Sequence, residues 1–129
     1  MKFHQIGDNN GRIKCPFPNC NTNVIPLTDG LKSSITTVPN APKMVNLNEA
    51  EKFFKINDMW DFDNIGVSRD LPEIDNFTID DVKFDIERIL ICSECDKGPI
   101  GFAGHFENED KLPNNLTFFL SCESMEYQV

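Results

Sequence analysis

The chain has 129 residues, enough for one domain with a modest core that a metal staple would strengthen. With 40% hydrophobic and 26% charged residues it has the composition of a soluble globular protein, which excludes wholesale disorder, and no apolar run approaches the roughly 20 residues of a membrane helix. A net charge of -9 repels phosphate backbones and anionic membrane surfaces, so nucleic-acid binding and direct membrane insertion are not expected.

The start, Met1 to Asp8, lacks a signal-peptide apolar region, which makes the cytosol the expected compartment. The first dozen residues are polar and predict a loose lead-in. Cys15 to Cys20 predicts a compact turn. Asn23 to Leu27 predicts a strand, closed by a turn at Thr28-Asp29-Gly30. Leu31 to Lys43 lacks helical periodicity and reads as a long loop. Asn46 to Phe54 has room for one helical turn.

The block Lys55 to Val67 interleaves apolar Ile56, Trp60, Phe62 and Val67 with Asp58, Asp61 and Asp63. Spacing by two puts Trp60 and Phe62 on one face of an extended segment, with Met59 and Asp61 opposite. That placement suits core packing and partner binding equally. Leu71 to Asp81 reads as an acidic connection. Val82 to Cys92 fits a helical face, with Asp80 as cap, or a strand. Its β-branched Val82, Ile86, Ile89 and Ile91 favour the strand. Lys97-Gly98-Pro99 predicts a turn, Ile100 to Phe106 a bulged strand, and Leu116 to Ser121 a strand preceded by a turn at Asn114-Asn115. Short strands with little room for long helices predict a mostly β fold.

Five cysteines in a cytosolic chain do not suggest disulfides. Cys15 and Cys20 form a C-x4-C pair, and Cys92 and Cys95 a C-x2-C pair. Two such pairs predict one closed tetrahedral zinc site, structural because it leaves no open position. Its binding energy would become folding energy. A redox pair at Cys92 and Cys95 is the weaker alternative, because Gly98 and Pro99 prevent a helix from starting there. His4 and His105 are spare ligand candidates. Cys122 reads as a buried small hydrophobe.

Phosphate-cradling glycine loops, nucleophile elbows and histidine-pair metal motifs are absent from the sequence. Asp58, Asp61 and Asp63 lack the calcium-loop pattern. A binding protein is therefore expected rather than an enzyme.

Two blocks carry a family likeness. Asp58-Met59-Trp60-Asp61-Phe62-Asp63-Asn64-Ile65-Gly66-Val67 is followed by Leu90-Ile91-Cys92-Ser93-Glu94-Cys95-Asp96-Lys97-Gly98-Pro99-Ile100-Gly101. Together with the first cysteine pair, they make the chain resemble the Rab-interacting-factor family of the Mss/Dss type. The likeness runs from Cys15 to Phe102. It departs from some members in its C-x4-C spacing and in the acidic insert from Asp70 to Lys83.

The resemblance implies a β-tent fold over one structural zinc held by Cys15, Cys20, Cys92 and Cys95. It also implies binding of Rab-type small GTPases, with slow release of nucleotide and retention of the nucleotide-free form. The role would be that of a weak exchange factor and chaperone in vesicular transport and exocytosis. By residue-to-residue match, the implied Rab-facing side chains are Asp58, Met59, Trp60, Phe62, Asn64 and Glu94. Two other classes stay open at this point: a zinc-stabilised methionine sulfoxide reductase-like enzyme, for which Cys122 is the candidate nucleophile, and a zinc-ribbon interaction module.

Overall fold

A computed structural model describes residues 1–45, 51–74 and 76–129. The expected mostly β fold is what it shows. Among the described residues, ten strands and one short α-helix follow in order: β1 (Gly11–Lys14), β2 (Asn23–Leu27), α1 (Asp29–Ser33), β3 (Ile35–Thr37), β4 (Lys52–Ile56), β5 (Gly66–Ser68), β6 (Thr78–Ile79), β7 (Val82–Ile91), β8 (Gly101–Phe106), β9 (Thr117–Ser121) and β10 (Glu126–Gln128). They build two antiparallel sheets. The smaller has the order β10-β1-β2. The larger, curled sheet has the order β3-β4-β9-β8-β7-β5, with β6 paired to β7.

Alternation along the strands of the larger sheet builds two cores. Phe54, Ile56, Leu90, Ala103, Phe118 and Leu120 face the smaller sheet, where they meet Ile13, Val24, Ile25, Leu27 and Tyr127. Their neighbours Phe53, Ile89, Phe102 and Phe119 face the other way, with Val38, Met44, Phe77, Ile79 and Phe84. A side-chain period of two sends adjacent residues to opposite faces, so a strand covered on both sides is apolar throughout. β9 is buried at all five positions. The second core is largely phenylalanine. Phe102 and Phe119 stack at 5.2 Å, and Phe53, Phe77 and Phe84 meet Phe102 edge-on. Such pairs add about 0.5–1.5 kcal/mol each beyond the area they bury.

The strands expected at Asn23–Leu27 and Val82–Cys92 are present, as are those near Ile100–Phe106 and Leu116–Ser121. The bulge is displaced from the expected strand to its neighbour. Ile86 pairs with Gly104 and Arg88 with Ala103, so Glu87 of β7 is the extra residue.

Five readings from the sequence are corrected. The lead-in is packed: Ile6 is buried and Phe3 contacts Phe54 and Tyr127. The expected turn at Thr28-Asp29-Gly30 opens α1, because the Thr28 hydroxyl accepts from Leu31 N as an N-cap. The loop read from Leu31 to Lys43 thus contains most of α1 and all of β3. Of the helical turn expected at Asn46 to Phe54, residues 46–50 lie outside the described residues, and Lys52–Phe54 are strand paired to β9. Asp80 caps no helix. It and Asp81 both have positive φ (51° and 65°) and form the two-residue hairpin joining β6 to β7.

β8 tolerates almost no side chain at its glycines. A Cβ at Gly104 would lie 1.9 Å from the Asp85 carbonyl oxygen, which closes in opposite the bulge. Gly104→Ala should therefore destabilise the fold by about 3 kcal/mol in urea unfolding, since backbone must move. Gly30→Ala, where the nearest atom is 3.8 Å away, should be neutral or stabilising by up to about 1 kcal/mol.

Candidate metal centre and protein-binding edge

β1 runs directly into Cys15, and β7 runs directly into Cys92. Each strand therefore delivers one buried cysteine to the line where the two sheets meet, and a tight turn brings the second. In the first turn, Asn19 and Asn21 adopt left-handed backbone on either side of Cys20 (φ 68° and 51°). In the second, Asp96 does so after Cys95 (φ 57°). Asn and Asp reach that region more readily than other side-chain-bearing residues. Cys15 N–H donates to Thr22 O, and Cys92 N–H donates to Lys97 O, closing both loops. The Lys97 ammonium lies 5.7 Å from the centre of the Phe17 ring and links one turn to the other.

The four sulfurs lie within 4.8 Å of one another. Cys15 Sγ is 3.7 Å from Cys95 Sγ, and Cys20 Sγ is 3.6 Å from Cys92 Sγ. None of these cysteines is disulfide-bonded. A tetrahedral ion with metal–sulfur bonds of about 2.3 Å holds its sulfurs about 3.8 Å apart, so the spacing fits one ion with four thiolates. The environment fits as well. Burial pushes the Cys15 and Cys92 thiols up, which disfavours thiolates there unless a cation balances them. Thr22 draws Cys20 down to about 6 through its hydroxyl and its backbone N–H. Backbone N–H groups of Phe17, and of Glu94 and Cys95, point to the sulfurs of Cys15 and Cys92 respectively.

The remaining candidates lie elsewhere. His105 is buried between Glu87 and the Leu112 carbonyl, and His4 is exposed. Cys122 is fully buried, burial pushes its thiol up, and Tyr127 OH donates to its carbonyl. It packs as the expected small hydrophobe, an unfavourable setting for a nucleophile.

The aromatic block departs from the extended segment expected for it. Asp58 Oδ1 accepts from Trp60 N at 2.9 Å and caps a 3₁₀ turn over Met59–Asp61. The turn breaks the period of two, so Trp60 and Phe62 part company. Phe62 folds back onto Phe118, with ring centres 5.6 Å apart. Trp60 is 86% exposed and Met59 53% exposed. A tryptophan is usually buried over most of its surface, so exposure this complete, beside an exposed methionine, is unusual. Beyond the turn, Asp63 N and Asn64 N donate to Val24 O, and Asn64 Nδ2 donates to Asn23 O at 2.9 Å.

β5 then pairs with the end of β7, Gly66 opposite Ile91. A Cβ on Gly66 would lie 3.4 Å from Ser93 Cα, so the strand leaving the aromatic loop passes beside the second cysteine turn. Glu94 is exposed on that turn. Of the six residues expected to face a partner, Asp58, Met59, Trp60 and Glu94 are therefore exposed, while Phe62 and Asn64 are half-buried and turned to the protein. The reading from sequence missed Thr22 and Lys97. A hydroxyl two residues after Cys20 is a usable signal for the first, and nothing local signals the second.

The Mss4 protein family model matches residues 9–127, a span that includes all four clustered cysteines and the whole aromatic loop. The chain belongs to the Mss4 family. It is 29% identical over 136 aligned positions to Protein DSS4 of Saccharomyces cerevisiae, covering 89% of this chain and 95% of that one. It is 27% identical over 104 positions to a Drosophila melanogaster protein named guanine nucleotide exchange factor MSS4 homolog, covering 74% and 73%. A Schizosaccharomyces pombe protein of the same name is 33% identical over 61 positions, covering 47% and 49%.

Trp60 is the single tryptophan of this Mss4-family chain, which makes its surroundings directly measurable. Its emission maximum should barely shift between the folded and denatured protein. Acrylamide should quench it nearly as fast as it quenches a free tryptophan amide. A blue-shifted, protected emission would contradict the exposed placement.

Proposed function

We propose that this protein binds a Rab-type small GTPase, promotes nucleotide release and holds the nucleotide-free form, acting in the cytoplasm as exchange factor and chaperone in vesicle transport. The observation that carries the reading is Trp60, exposed on a capped and anchored loop in a chain whose relatives include two named guanine nucleotide exchange factors. An aromatic anchor with acidic neighbours suits a partner presenting an apolar pocket rimmed by basic groups. Asp58, Met59, Trp60 and Glu94 form the contact surface, and Phe62 supports it from beneath.

A factor that prefers the empty GTPase weakens nucleotide binding by the same factor, because linkage is reciprocal. Each tenfold needs about 1.4 kcal/mol of extra contact with the empty form. Trp60 and Met59 supply it by burying apolar area on a segment that moves once nucleotide leaves. Asp58 and Glu94 supply it by occupying the positive potential that the phosphates vacate. No covalent step is involved.

The metal in this reading is a single zinc ion held by Cys15, Cys20, Cys92 and Cys95. Bound, it supplies charge balance for four thiolates and a cross-link between the two sheets, and no reaction chemistry. The chain's own residues do the rest: the Asn19, Asn21 and Asp96 turns aim the sulfurs, and Thr22 and the backbone N–H groups stabilise them.

Two measurements test these statements. Purified protein should contain one zinc per chain, and removal by a chelator should unfold it. Cys92→Ser should lower the metal content and the unfolding midpoint together, and a metal-free protein of unchanged stability would refute the site. In pull-downs, nucleotide-free Rab proteins should be captured far better than GDP-loaded ones. Trp60→Ala should weaken that capture by about 2 kcal/mol, roughly 30-fold, without loss of zinc. Equal capture of both forms would remove the exchange mechanism. Unchanged affinity in the Asp58→Ala, Glu94→Ala double variant would remove its electrostatic part.

A further inference from the structure

Asn64 matches the family's partner-facing pattern, but its side chain is already engaged. It is half-buried, and its Nδ2 donates to the main-chain carbonyl of Asn23 at 2.9 Å. The two backbone N–H groups at this point, of Asp63 and Asn64, both donate to Val24 O, at 2.8 and 3.2 Å. All three bonds end on β2, which lies at the edge of the three-stranded sheet. An edge strand leaves main-chain acceptors open, and here the end of the aromatic loop takes two of them.

β2 is itself tied to the metal centre. Asn23 follows Cys20 by three residues, and the intervening Thr22 accepts from Cys15 N–H and touches Cys20 Sγ through its hydroxyl. On the other side of the loop, Phe62 rests on Phe118 of β9. Trp60 projects from between its Asp58 cap and these two attachments.

We infer that Asn64 is a positioning residue: it locks the Trp60 loop onto the strand that leaves the first cysteine turn, and so presents Trp60 in a fixed pose before any partner arrives. The inference rests on the GTPase-binding reading for its consequence, though its structural part stands apart from it. A side-chain amide is the group suited to this task, since Asn offers an N–H where Asp offers only acceptors. Ordering the loop in the free protein removes an entropy cost from association. Loss of the Asn64 side-chain bond therefore returns part of that cost to the binding step, because the loop keeps only its two backbone bonds to Val24.

The test uses the full chain with its metal bound, as Asn64→Ala and Asn64→Asp variants. Both should retain wild-type metal content and nearly the wild-type unfolding midpoint. In both, the steady-state anisotropy of the single Trp60 should fall, read without any GTPase present. Affinity for a nucleotide-free Rab-type GTPase should drop roughly 3- to 10-fold, the range expected for one hydrogen bond. On a Trp60→Ala background, Asn64→Ala should cost little further affinity, because it acts through Trp60.

Unchanged anisotropy in both variants would overturn the positioning role. So would fully additive losses of affinity, which indicate direct contact by Asn64. Should the wild-type chain bind no nucleotide-free GTPase, the partner reading fails, and the tryptophan measurements alone still decide whether Asn64 positions the loop.

Discussion

Four sulfurs drawn from two turns more than seventy residues apart in sequence meet within 4.8 Å, and the rest of the molecule is arranged around that meeting. One pair closes the end of β1 and the other the end of β7, so the centre lies where the small sheet and the large sheet touch. The sheets share an apolar interior, but hydrophobic packing is non-directional and leaves their angle poorly determined. The sulfur cluster supplies direction. It fixes the ends of two strands from different sheets at one point, and the aromatic loop hangs on the strand leaving one turn while β5 runs along the other.

The acidic character of the chain takes on a local meaning in this frame. Much of the -9 charge is spread over the surface and serves solubility. Asp58 is different, because its carboxylate is a structural cap that makes the 3₁₀ turn and thereby pushes Trp60 outward. Glu94 is different because its turn is held by a closed backbone loop. The Asp58 charge is thereby fixed beside the exposed side chains of Met59 and Trp60, and the Glu94 charge on the second cysteine turn.

The sequence shows the cysteine cluster clearly, because pair spacing is a local property and the pairing of pairs is nearly forced by chemistry. Strands β2 and β7 were equally readable, one from its bounding turns and the other from its β-branched run. The second core was harder to see. Phe53 and Phe54, or Phe118 and Phe119, are adjacent, and no alternation betrays a strand buried on both faces. Trp60 and Phe62 misled for the opposite reason: their spacing by two mimics a strand, and only the Asp58 cap converts it into a turn. The packed lead-in was invisible because Phe3 and Ile6 gain their burial from Phe54 and Tyr127, distant in sequence. The half-buried state of Asn64 belongs to the same class, since a hydrogen bond to a carbonyl forty-one residues away leaves no local trace.

The large sheet is a party wall. β8 and β9 present Ala103, Phe118 and Leu120 to one interior and Phe102 and Phe119 to the other, so the same backbone ladder seals both. Neither interior can be lost while the other persists, because losing either one frees the strands that line its neighbour. Two separate clusters of apolar side chains should therefore melt together, with local opening favoured in elements outside the wall, such as α1 and the two-residue β6 hairpin.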